Sequence, residues 1–61
     1  MDNKYWYAVM KDRDDDDWGT GSYDLDEAKT MARQYGAEAY IAVIEESENP
    51  VCVDEIEQKD F

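Results

Sequence analysis

From residue 24 to residue 35 the apolar side chains fall at helical spacing. At about 100° per residue, Leu25, Ala28, Met31, Ala32 and Tyr35 gather on one side. Asp26, Glu27, Lys29, Thr30, Arg33 and Gln34 take the other. Asp24, with Glu27 three residues on, suits a capping box in which Asp replaces the usual Ser or Thr. The acids at the start and Arg33 near the end agree with the helix dipole, and Gly36 stands where a left-handed C-terminal cap belongs. One amphipathic helix of this kind covers one face of a small sheet, so the rest of the chain has to supply that sheet.

Three runs do so. Residues 4–10 (KYWYAVM) are aromatic and β-branched, without Gly or Pro, and read as a strand. Residues 39–44 (AYIAVI) make a second, apolar on both faces, and residues 51–56 (VCVDEI) a third, whose acids suggest an edge or a wet face. Residues 45–50 are a polar turn, with Pro50 acceptable at a strand's first position. The polar stretch 11–22 is long for a connection in a compact domain, typically about 4–6 residues. Its glycines allow an extra short strand near 18–23 that folds back on the first as a hairpin. Residues 58–61 read as a frayed tail.

The expected fold is α+β, a single domain over 1–61 of order β-α-β-β plus that extra strand, with the helix on one face of a small, mainly antiparallel sheet. The last two long strands should pair as a hairpin. The first should either run parallel to the second through a right-handed crossover or lie outside the third in a split arrangement, the latter preferred. The helix-facing side is assigned to Trp6, Ala8, Met10, Ile41, Val43, Val51 and Val53. Tyr5, Tyr7, Tyr40 and Ile44 then form an opposite, tyrosine-rich face of the kind found at interfaces. A slip of one residue would exchange the two faces.

At 61 residues the chain is near the lower limit for independent folding. Its one cysteine, Cys52, excludes an internal disulfide, and the absence of histidine removes the commonest metal ligand and general base. Stability must come from the apolar core or from association. The start, Met1-Asp2-Asn3-Lys4, has no apolar stretch behind a basic flank, and no run approaches the roughly 18 apolar residues of a membrane span. Together with the lone cysteine this points to the cytoplasm.

No residue pattern carries catalysis. Cys52 has Asp54 and Glu55 close behind it, the wrong neighbours for a thiolate nucleophile, and acid–base work by carboxylates needs a cleft that holds two of them in different environments. Trp18-Gly19-Thr20-Gly21-Ser22 lacks the lysine of a phosphate loop and feeds a helix that starts with acids. Asp12, Asp14 and Asp16 fit the first, third and fifth ligands of a calcium-binding loop, but Asp17 stands where glycine is needed and Tyr23 where glutamate is needed. No cofactor and no metal are expected.

The charge is the feature with functional weight. Seventeen Asp and Glu against six Lys and Arg leave a net charge of −11. Such a chain repels nucleic acid and anionic membrane, which are read through basic patches, and calls for a basic protein partner. The residues placed at an interaction surface are Asp14, Asp15, Asp16, Asp17 and Trp18 in the loop, and Tyr5, Tyr7 and Tyr40 on the sheet.

The stretch 18–28, WGTGSYDLDEA, behind a YAVM-type strand, resembles short acidic proteins of bacteria and their mobile elements. It is also similar to HicB-type antitoxins, in which a β-hairpin feeds a helix. The likeness covers about 25 residues, much of it helix-capping pattern. The likeness does not extend to the DNA-binding domain often attached in HicB-type chains, and no catalytic residue carries over. Three functional expectations follow: a non-catalytic module that binds a basic protein surface, a homodimer through the tyrosine face, or an inhibitor or antitoxin that mimics nucleic acid.

Overall fold

The aromatic run near the start forms strand β1 (Tyr5–Met10) in the computed structural model, which describes residues 4–61. It is followed by a short β2 (Gly21–Ser22), helix α1 (Leu25–Tyr35), β3 (Tyr40–Glu45), β4 (Val51–Ile56) and a 3-10 turn, Gln58–Asp60. The fold is α+β, a four-stranded sheet of order β2-β1-β3-β4 in which every pairing is antiparallel.

β1 therefore neither runs parallel to β3 nor lies outside β4. The cause is β2. It returns the chain to the end of the sheet at which β1 begins, so α1 starts there and delivers the chain to the far end. The next strand beside β1 must then run against it. β3 does so from Tyr5↔Glu45 to Met10↔Tyr40. The two-residue β2 pairs Tyr7 with Ser22 and Ala8 with Gly21. A Cβ on Gly21 would collide with the carbonyl oxygen of Tyr7 and lie 2.9 Å from the Cα of Ala8, so only glycine lets β2 approach β1 this closely.

The helix begins where its sequence says. Asp24 is the N-cap, its Oδ1 accepting from the backbone N–H of Asp26 (2.9 Å) and of Glu27 (3.4 Å). The return half of the capping box is supplied by Ser22, whose Oγ accepts the Asp24 N–H at 3.0 Å. At the other end Gly36 has φ 137° and ψ −178°. That is a glycine conformation, but an extended one rather than the left-handed cap expected. Ala28 and Ala32 are fully buried, and their small size lets the helix sit close on the sheet. Leu25 and Met31 are half-buried beside them; Tyr35 is exposed, with Lys11 Nζ 5.5 Å from its ring centroid.

The sheet is buried on both faces. Under the helix lie Val9, Ala39 and Ile41, flanked by Tyr7, Ile56 and Phe61. On the opposite face lie Ala8, Met10, Tyr40, Ala42 and Ile44, flanked by Trp6. The β3 residues thus point as expected, but β1 is turned over: Trp6, Ala8 and Met10 face away from the helix. A run apolar on both faces carries no alternation to fix its orientation, so only the partner strand decides it.

β4 departs further. Val43 pairs with Asp54 and Ile44 with Cys52, which leaves Val53 as the extra residue of a bulge. Val51 and Val53 are 47% and 50% exposed rather than in the core, and Ile56, beside Ile41, is the β4 residue that packs under the helix. Charged residues and a bulge on an edge strand oppose edge-to-edge pairing. The last residues are not frayed. Gln58 Nε2 donates to the carbonyl oxygens of Gly36 and Ala39, and Phe61 packs against the helix-side core with the Arg33 guanidinium 5.4 Å from its ring centroid.

Candidate functional site

The face of the sheet turned away from α1 is covered by the loop between β1 and β2, and the loop's conformation is written in its aspartates. Asp12 Oδ1 accepts the Asp14 N–H (2.9 Å), Asp15 Oδ1 that of Asp17 (3.0 Å) and Asp17 Oδ1 that of Gly19 (2.8 Å). Each is an Asx turn, in which a short carboxylate replaces a backbone acceptor two residues on. Asp15 Oδ2 also accepts the Lys11 N–H at 3.1 Å. The two backbone donors, from Asp17 first and Lys11 second, hold the Asp15 carboxyl below its ordinary pKa.

Two contacts fasten the loop down. The indole Nε1–H of Trp6 donates to the Trp18 carbonyl oxygen at 2.7 Å. The Arg13 guanidinium lies 4.0 Å from the ring centroid of Tyr40 and pairs with Glu55 (Nη1 to Oε1, 2.9 Å) and with Glu57. These ion pairs are exposed and worth about 0–1 kcal/mol each at most; stacking on Tyr40 gives the arginine a fixed seat. Beneath the loop Met10 and Tyr40 are 2% and 5% exposed.

Where the loop meets β2 it leaves an open groove of about 390 Å³, lined by Trp6, Trp18, Tyr23, Ile44, Glu46, Ser47 and Pro50. Register builds it. Trp6 pairs with Ile44 across β1 and β3. Tyr23 follows β2 and meets Trp6 edge to face, with centroids 4.8 Å apart at 74°. Glu46 is placed beside them by its backbone N–H, which donates to the Lys4 carbonyl oxygen at 3.0 Å. The Tyr23 hydroxyl donates to Glu46 Oε1 at 2.6 Å, and this bond to the neutral phenol raises the Tyr23 pKa. Ser47 and Pro50, from the β3–β4 turn, close the far wall.

The residues expected at an interaction surface are therefore divided. Tyr5 and Tyr7 alternate with Trp6 onto the helix side of β1, whereas Tyr40 is buried on the other side under Arg13. The tyrosine-rich face does not form. Asp14, Asp16 and Asp17 are exposed on the loop, and Asp15 is half-buried as its hinge. Trp18, 37% exposed, does line the groove. Trp6, Tyr23 and Glu46 complete it. The Trp–Tyr pair follows from the hairpin once its register is known; nothing local marks Glu46, which comes from a turn 23 residues beyond Tyr23.

Among the described residues no group of three or more His, Cys, Asp or Glu side chains is placed to hold a metal ion, and Asp12, Asp15 and Asp17 spend carboxylate oxygens on backbone donors instead. Cys52 is exposed on β4, its thiol 3.3 Å from the Asp54 carbonyl oxygen. No polar or charged residue among those described is buried, and no described helix is long and apolar enough to cross a membrane. Comparison with family models, with curated proteins and with solved structures finds no match to this chain.

Proposed function

We propose that this chain is a non-catalytic protein-interaction domain that binds a basic surface on a protein partner. The observation that carries this is the aspartate loop. Asx turns and Arg13 hold it against the sheet, so Asp14, Asp16 and Asp17 stand outward as a preformed acidic edge. Among the described residues only Arg13 forms side-chain ion pairs, with Glu55 and Glu57, so most of the carboxylates behind the net charge of −11 have no cationic partner. An ordered charged edge steers a complementary partner and fixes its orientation without the ordering penalty of a flexible acidic tail. Neutralisation of a basic protein, as in the antitoxins that the hairpin-to-helix segment resembles, is one form that this binding would take. The exposed, unbridged Cys52 suits a reducing compartment such as the cytoplasm.

The test is capture from a lysate of the native host with tagged protein, at low and at moderate salt. It is run beside a variant with Asp14, Asp16 and Asp17 all changed to Asn. Asparagine at position 17 keeps the Asx-turn acceptor for Gly19, the Asp14 and Asp16 carboxylates accept no bond from a described residue, and three charges are removed, so the loop retains its shape. A basic protein held by the wild type at low salt, released by salt and missed by the variant is the expected result. Equal capture by both proteins, or retention indifferent to salt, would overturn the reading.

A further inference from the structure

We infer that the aromatic groove receives a lysine side chain from the partner's basic surface; this deepens the basic-partner reading and rests on it. The groove's lining specifies the chemistry. Trp6, Trp18 and Tyr23 supply π-systems, whose quadrupoles attract cations, tryptophan most strongly. Ile44 and Pro50 supply apolar walls for an alkyl stem, the part of a lysine that packs while its head stays polar. Glu46 is the one charged residue in the lining.

Alternatives fit less well. An anionic ligand meets both Glu46 and the field of a chain at −11, and a second copy of this chain brings that same charge. A purely apolar side chain leaves the carboxylate unanswered. Between the two cationic side chains, lysine fits better. Tyr23 already occupies Glu46 Oε1, while Oε2 accepts no hydrogen bond from a described residue. A compact ammonium needs one such oxygen, whereas the planar fork of arginine is best matched by two.

The molecule uses the same contact elsewhere on its own surface. Lys4, Lys11, Arg13 and Arg33 lie 5.9, 5.5, 4.0 and 5.4 Å from the ring centroids of Tyr23, Tyr35, Tyr40 and Phe61. Of these rings, Tyr23 also lines the groove, and Lys4 Nζ lies 5.9 Å from its centroid.

The experiment titrates the isotope-labelled full chain with Nα-acetyl-lysine N-methylamide and, in parallel, with the norleucine analogue, which keeps the alkyl stem and lacks the charge. The indole N–H signals report on the groove directly, because Trp6 and Trp18 are the two tryptophans of the chain. Saturable movement of both signals with lysine, and an affinity for norleucine at least several-fold weaker, is expected. Trp18→Ala and Glu46→Gln should each weaken the lysine response by roughly three- to thirty-fold. Both leave Trp6 in place, and the amide oxygen in Glu46→Gln still offers Tyr23 an acceptor, so the fold is retained. An equal response to norleucine overturns the lysine assignment. Movement confined to the amides of residues 12–17 also overturns it, yet leaves the basic-partner reading standing. Silence at both places counts against both.

Discussion

Trp6 and Trp18, twelve residues apart, are joined by an indole N–H to carbonyl hydrogen bond of 2.7 Å. This bond ties the acidic loop to the central strand and forms one wall of the groove. Trp6→Phe removes the donor and keeps much of the apolar surface. The expected cost is about 0.5–1.5 kcal/mol, the net worth of one such bond, read as a lower denaturant midpoint at unchanged slope. Amide exchange in residues 15–20 should quicken more than in β3, because the loop loses its anchor while the ladder stays whole.

Two glycines should respond to alanine for different reasons. At Gly21 the new Cβ would strike the β1 backbone at Tyr7 and Ala8, neither of which can yield without breaking the β1–β2 pairing. Gly36 has open space around its Cβ position, and its φ of 137° is the obstacle. Gly36→Ala should cost about 1–3 kcal/mol, in line with other sparsely populated backbone conformations, and leave the fold otherwise intact. Gly21→Ala should cost more and perturb the Trp6 and Tyr23 environments, visible in near-ultraviolet circular dichroism. Equal effects at the two sites would contradict this account.

The pH dependence has two separate edges. The folded-state pKa of Asp15 lies below its unfolded value of about 3.9, so its contribution is present above that value and lost as pH falls through the folded pKa. Asp15→Asn should flatten the acid limb of the stability curve in the region below about pH 4. The pKa of Tyr23 is raised above its ordinary value of about 10. Its contribution is complete below that value and disappears as pH rises through the folded pKa. Tyr23→Phe should remove this alkaline loss, and tyrosinate absorbance should show Tyr23 ionising after ordinary tyrosines.

Salt should stabilise the protein. Raising ionic strength from about 0.01 M to 0.15 M shortens the Debye length from about 30 to about 8 Å, which screens repulsion among largely unpaired carboxylates more than it weakens the pairs of Arg13. Each 1 kcal/mol regained corresponds to about 4–8 °C in a domain of this size. A melting temperature unchanged or lowered across that range would show that the acids are better spaced than their number suggests.

What was legible in the sequence is what local chemistry governs. The helix, its Asp24 cap, the three long strands and the short extra strand all follow from side chains within a few residues of one another, and each forms close to the expected bounds. The acidity and the lack of histidine are composition, which folding cannot change. Tertiary structure decided the rest, because it depends on pairings between distant residues. The antiparallel course of β3 is set by β2, two residues whose reversal of the chain changes the direction in which α1 crosses the sheet. The face carrying Trp6 was hidden because β1 is apolar on both sides, and only its register with β3 resolves which side meets the helix. The bulge at Val53, the clasp of Gln58 on Gly36 and the meeting of Glu46 with Tyr23 have the same origin. Each joins residues far apart in the chain, and a one-residue shift in a strand would point those side chains to the opposite face.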